Sequence, residues 1–184
     1  MTKNSILFLA FSGIFSILFL GCNNNSDDPV PVFDPVKQAR IDDSILVSYL
    51  QEKNLTDSFT KAAYGYYFRI TKTRPDSILM GDSMVVNRDT AIIKNGNKVF
   101  LRYEGRLLND TLFDANWDAA LALNFYPGRG RLIGGFEEGI LNFRKLEEGY
   151  LLIPSRLAYG NTQQGKIPKN ACVRFFIKVP NVER

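Results

Sequence analysis

Arg131-Leu132-Ile133-Gly134-Gly135-Phe136-Glu137-Glu138-Gly139-Ile140-Leu141-Asn142-Phe143 decides the fold. Phe136, Ile140 and Phe143 fall at i, i+4 and i+7, one face of a helix. Two glycines precede it, where a chain turns sharply or admits another backbone. Glu137 and Glu138 fall in its first turn, where carboxylates suit the positive end of the dipole. A helix of about ten residues does not hold alone in water, so it must lie against something larger.

The flanking segments are strands. Val99, Leu101 and Tyr103 face one way and Phe100, Arg102 and Glu104 the other. Tyr150-Leu151-Leu152-Ile153 is a mostly apolar run stopped by Pro154. Val173, Phe175, Ile177 and Val179 alternate with Cys172, Arg174, Phe176 and Lys178. Upstream, Tyr64, Tyr66, Phe68 and Ile70 alternate with Gly65, Tyr67 and Arg69. Half-buried strands around one short helix predict an α+β domain, an antiparallel β-sheet wrapped on that helix.

Before this domain, Asp34-Pro35 is a helix start, a capping oxygen followed by proline. Ile41, Ile45 and Tyr49 repeat every four residues beside Leu46 and Leu50, as far as Asn54. The pattern predicts an amphipathic helix whose default role is to dock on the domain; a dimer seam or a client-shielding face are the alternatives. Between the strands, residues 73–92 are a polar excursion, long for a loop. Asp76-Ser77-Ile78, Asp82-Ser83-Met84 and Asp89-Thr90-Ala91 within it resemble the O-glycosylation sequon of Bacteroidota secreted proteins. Asp and Ser are equally ordinary turn formers.

The N-terminus reads as an export segment. Lys3 precedes a predominantly apolar run from Ile6 to Leu20, shorter than the roughly 20 residues a spanning helix needs. It ends Leu18-Phe19-Leu20-Gly21-Cys22, which resembles the lipobox of bacterial lipoproteins, with Phe19 where that family has Leu and Leu20 where it has a smaller residue. An uncleaved anchor is the alternative. If Cys22 carries lipid, Cys172 is left as a strand residue. Asn23 to Pro31 is polar and proline-rich and reads as a tether; Ser26-Asp27-Asp28 resembles an acidic surface-export tag. The expected organisation is a signal peptide over 1–21, a tether over 22–34, a helical extension over 35–62 and one domain over 63–184.

Bulk properties narrow the chemistry. The 184 residues, 45% hydrophobic, bury one good core but hardly two. A net charge of +4 with interspersed signs does not argue for nucleic acid. Histidine is absent, which excludes imidazole acid–base chemistry, His-based triads and most catalytic zinc sites.

Five blocks, in order over about 85 residues, carry a family resemblance. Val99-Phe100-Leu101-Arg102-Tyr103-Glu104-Gly105-Arg106-Leu107, Leu112-Phe113-Asp114, Phe125-Tyr126-Pro127-Gly128 with Leu132 to Gly139, Ile153-Pro154-Ser155-Arg156-Leu157-Ala158-Tyr159-Gly160, and Ile167 to Ala171 with Val173-Arg174-Phe175 resemble the FK506-binding-protein (FKBP) type of peptidyl-prolyl cis–trans isomerase. The resemblance implies a proline pocket lined by Tyr103, Phe113, Asp114, Leu132, Ile133, Phe136, Tyr159, Ile167 and Phe175. It implies that the Ile133 N–H and the Tyr159 hydroxyl donate to substrate carbonyls, and that Asp114 sets the polarity of the rim. It further implies proline-containing polypeptide substrates and neither metal nor cofactor; the lipobox resemblance separately implies membrane attachment through Cys22 and a place in the cell envelope. The chain departs from the family at Phe136, where the pocket floor is usually Trp, and at Leu123, where the first aromatic before the glycine turn is expected. The loop from Tyr159 to Ile167 is about one residue short, and Leu146 stands where a glycine is usual, with Gly149 displaced. The Phe136 and Leu123 departures favour one alternative to catalysis, a client-binding or chaperone module on the same fold; a structural envelope lipoprotein of a gliding or secretion assembly, as some relatives of this type are, is the other.

Overall fold

The computed structural model describes residues 33–73, 78–80, 83–85 and 92–184. The export segment with Cys22 and the acidic tag lies outside the described residues, as do Asp76, Ser77, Asp82, Asp89, Thr90 and Ala91 of the three triplets.

Helix α1 runs Pro35–Glu52, and one oxygen of Asp34 accepts from the N–H groups of Val36 (2.9 Å) and Lys37 (3.1 Å) at its start. It stops where Asn54 turns left-handed (φ 54°) and the N–H groups of Leu55 and Asn54 return to the carbonyls of Leu50 and Gln51, a glycine-type cap made with asparagine. The strands follow as β1 (Thr60–Lys61), β2 (Tyr67–Lys72), β3 (Ile78–Met80), β4 (Ser83–Val85), β5 (Lys98–Leu107), β6 (Leu112–Ala115) and β7 (Leu123–Phe125). Then come α2 (Gly134–Ile140), β8 (Glu148–Ile153), a 3-10 turn (Ser155–Leu157) and β9 (Val173–Glu183). The main sheet is antiparallel in the order β1-β2-β8-β9-β5-β6, with β7 also pairing with β5. Strands β3 and β4 pair with each other inside the excursion, which the sequence reads as a loop.

Both faces of the sheet are covered, and this explains an apolar run that does not alternate. Leu151 and Ile153 of β8 join Phe136, Ile140, Phe143, Phe175 and Ile177 in the larger core, on the α2 side. Leu152 points the other way and packs with Leu46, Leu50, Tyr67 and Cys172, on the α1 side. Tyr66 and Tyr67 are split in the same manner, one into each core.

Two expectations about the helices change. The docked face of α1 leaves out Ile41 and Ile45, which are 42% and 40% exposed, while Tyr49 packs half-buried on the core beside it. The buried residues are Asp42, Leu46 and Leu50, also spaced by four but one position round the helix. A carboxylate is tolerated there because Ser155 Oγ and Gln38 Nε2 both donate to Asp42, each at 2.7 Å. Helix α2 is shorter than the ten residues expected and begins at Gly134, so both glycines lie inside its first turn. A Cβ on Gly135 would stand 2.3 Å from Ile153; its absence lets the helix lie directly on β8. Phe143 lies beyond the helix but is fully buried.

Candidate active site

The cleft begins with α2, which has Ile133 as its N-cap and presents Phe136, only 3% exposed, as the floor. Aromatic rings meet that floor edge-on. Phe175 of β9 stands 5.0 Å away at 83°, and Tyr103 of β5 stands 6.0 Å away at 74°. Such edge-to-face pairs place the positive ring edge on a negative face. The result is a cavity of about 440 Å³ with an aromatic floor and a polar rim, lined by Tyr103, Asp114, Leu132, Ile133, Phe136, Tyr159 and Phe175.

Phe113 and Ile167 stand behind this lining. Phe113 packs edge-on against Tyr159 (6.1 Å) and Phe175 (5.6 Å) and so supports two walls. Ile167 is buried in the main core. Paired backbone hydrogen bonds between Gln164 and Ile167 turn the loop there and bring Gln164, rather than Ile167, to the cavity. Leu123, noted in the sequence only as a departure, is a lining residue, and so are Arg131 and Ala158. Arg131 and Ala158 adjoin the matched Leu132 and Tyr159, a signal that was available. Gln164 falls in the shortened loop, where alignment to the family is weakest.

Two polar devices hold the cleft in shape. The Glu137 carboxylate is buried and turned back onto the preceding loop, where it accepts from the N–H groups of Gly128 (2.9 Å), Gly130 (3.1 Å) and Leu132 (2.9 Å). Burial pushes its carboxyl up, but the N–H groups of Leu132, Gly130, Gly128 and Arg131 outweigh burial and the net shift is downward. On the far wall, Asn116 accepts from the Tyr103 N–H (2.7 Å) and donates to the Leu101 carbonyl (2.9 Å). Arg102 gathers the carbonyls of Asn116 and Ala119 at 2.7 Å each. The loop after β6 is thereby fixed to β5.

The Tyr103 hydroxyl donates to Asp114 Oδ2 at 2.7 Å. Burial raises the Tyr103 pKa strongly, and the bond to Asp114 adds to it. The Tyr159 pKa is raised by burial and then by the charge of Asp114. Both phenols stay protonated across the ordinary pH range and serve as neutral donors. The arrangement offers an aromatic box, two hydroxyls and one oriented carboxylate. It can hold an apolar ring and hydrogen-bond an amide; no nucleophile is set against a base.

Sheet, cross-packed helix and aromatic cleft together define the FKBP-like fold. The chain belongs to the FKBP-type peptidyl-prolyl cis-trans isomerase family, whose description matches residues 90–180. It is 39% identical over 83 residues to FK506-binding protein 1A of Neurospora crassa, covering 45% of this chain and 69% of that one. It is 33% identical over 104 residues to the human peptidyl-prolyl cis-trans isomerase FKBP9, covering 56% of this chain but 18% of that one. The match to FK506-binding protein 5 of Dictyostelium discoideum spans only 6% of that protein. Among solved structures, FkpA from Escherichia coli is similar with a TM-score of 0.61 at 21% identity, over 80% of this chain and 62% of that one. An isomerase from Pseudomonas syringae pv. tomato is similar with a TM-score of 0.57 at 19% identity, over 84% of this chain and all of that one.

Proposed function

We propose that this protein is a peptidyl-prolyl cis–trans isomerase acting on proline-containing polypeptides. The observation that carries the reading is the cleft itself, with Phe136, Phe175 and Tyr103 packed edge to face beneath Asp114 and Tyr159. Rotation about a peptide bond meets a barrier of about 18–20 kcal/mol from amide resonance. The twisted amide has lost that resonance, so an apolar box that desolvates it favours the twisted state over both planar isomers. The proline ring sits on Phe136, and Tyr159 and the Ile133 N–H donate to carbonyls that flank the reacting bond. Asp114 holds the Tyr103 hydroxyl, which keeps the rim polar at one fixed point. A protease-coupled assay on an X–Pro peptide, with the chain lacking residues 1–22, tests the reading. The expected result is acceleration above the uncatalysed rate; its absence in a folded protein leaves the client-binding module. That alternative draws on the smaller floor at Phe136 and on Leu123 in the lining.

The same proposal extends to location. Leu18 to Cys22 supports lipidation at Cys22, a tether over residues 22–34 and work on polypeptides folding outside the cytoplasm. Cys22→Ser is expected to leave an uncleaved precursor and to abolish lipid labelling; labelling that survives the change overturns this part.

A further inference from the structure

A second cavity, of about 300 Å³, lies on the α1 side of the sheet and shares no residue with the aromatic cleft. Phe59, Leu152 and the rings of Tyr49 and Tyr150 form its apolar side. Lys53 at the end of α1, Arg69 of β2 and Arg174 of β9 form its polar side, and no carboxylate lines it. Among the described residues Lys53 forms an ion pair with its sequence neighbour Glu52, at 3.8 Å, and its Nζ lies 5.9 Å from the centre of the Tyr49 ring. Arg174 uses one terminal nitrogen on Asp110, while its Nε is buried and has no hydrogen-bond partner among the described residues. Among those residues none forms an ion pair with Arg69. Three cationic side chains in a lining without a carboxylate make the cavity electropositive, and such a concavity favours an anionic group.

The apolar side does not end at the cavity. The Tyr150 ring packs 4.9 Å from Phe176, which stacks on Trp117 at 5.7 Å. A strip of rings thus crosses the outer face of β8 and β9 and continues to the loop after β6. A small inorganic anion would use the cations and ignore the strip. A chain with a carboxylate beside a large apolar side chain would use both.

We infer that this cavity is a second docking site, independent of proline, for polypeptide segments in which a carboxylate neighbours an aromatic or large aliphatic side chain. Guanidinium forks match carboxylates in geometry, and the rings take the apolar neighbour. A polypeptide held here is kept near the cleft without blocking it, which raises the local concentration of its prolines.

The test uses the full chain and a fluorescein-labelled, proline-free peptide with alternating Glu and Phe. Saturable binding is expected, weakened by salt and localised by shifts of the Tyr49, Phe59 and Tyr150 ring resonances. Arg69→Gln is expected to weaken binding by about tenfold while activity on a short X–Pro peptide and the melting temperature stay unchanged. Lys53→Gln, on the exposed end of α1, gives a second reading should Arg69→Gln fold poorly. Equal binding of the same peptide with Lys for Glu overturns the inference. So do shifts confined to Phe136 and Tyr159, an unaltered affinity in both variants, or a site filled by inorganic phosphate or anionic vesicles but not by the peptide. Because the probe lacks proline, this outcome is read separately from the isomerase assay.

Discussion

Two residues near α2 carry backbone arguments that side-chain chemistry alone does not suggest. Leu146 has φ 72° and its side chain is partly exposed. The left-handed region costs a branched residue about 1–2 kcal/mol, and glycine returns part of that through a more flexible unfolded chain. Leu146→Gly is therefore expected to stabilise the domain by about 0.5–1 kcal/mol, read as a higher urea midpoint at unchanged slope. The displaced Gly149 has a separate duty, because a Cβ there would stand 2.1 Å from the Arg69 carbonyl across the β2–β8 pair. Glu137 gives a pH test. Its carboxyl is held below the ordinary value, so its contribution is complete above the unfolded pKa and is lost as pH falls through the folded one. Glu147 runs oppositely: burial raises its pKa, so it opposes folding at neutral pH and is relieved on acidification. Glu137→Gln is expected to cost about 1.5–3 kcal/mol at pH 7, and the gap from wild type should close as the pH falls through the lowered folded-state pKa. A gap that does not change with pH would show that the negative charge is not what holds the loop.

At the scale of elements, α1 shows where a hydropathy pattern misleads. The apolar pattern comprises Ile41, Ile45 and Tyr49 with Leu46 and Leu50 beside them, and its buried part is Leu46 and Leu50, in a row with Asp42, while Ile41 and Ile45 stay exposed. Nothing in the helix alone says that Asp42 will be buried, because its partner Ser155 lies 113 residues away. Leu46→Ala is expected to cost about 2–5 kcal/mol as a fully buried leucine, and Ile45→Ala less than about 1 kcal/mol. Asp42→Ala should also destabilise, by about 1–3 kcal/mol, because Ser155 loses its buried acceptor. Asp42→Asn, which keeps an acceptor, should recover much of this. Equilibrium unfolding of the four variants checks the order, and similar losses at Leu46 and Ile45 would return the helix to its exposed stripe. The strands are legible in the sequence, since the alternation through Val173, Phe175, Ile177 and Val179 needs only a local pattern and one buried face. The run Leu151-Leu152-Ile153 broke the alternation because α1 covers the second face, a fact available only from the assembled fold.

Over the whole molecule, the cleft is assembled from β5, β6, α2, the turn after β8 and β9, so its composition depends on the fold as a unit. Motif order was enough to name Tyr103, Asp114, Leu132, Ile133, Phe136, Tyr159 and Phe175, which the structure gathers around one cavity. Motif order could not tell a lining residue from its support, and Phe113 and Ile167 share the motifs while facing inward. The proposed mechanism makes this distinction measurable. If the cleft works by holding a twisted amide, Asp114→Ala and Tyr159→Phe should each lower kcat/KM by about tenfold, since one hydrogen bond to a neutral partner is worth about 1 kcal/mol. Phe113→Ala should lose more, because it removes the edge-on support of both Tyr159 and Phe175 and lets two walls relax. Both phenols have raised pKa values, so neither loses its proton between pH 5 and 9 and the rate should be flat there. A catalytic acid or base would instead give a loss of several decades and a profile that follows its pKa. The measurement is kcat/KM for the three variants and wild type across that range, with circular dichroism to confirm folding. Graded losses on a flat profile support catalysis by binding, whereas a bell-shaped profile or a collapse at Asp114→Ala alone would require a proton-transfer step that the cleft does not display.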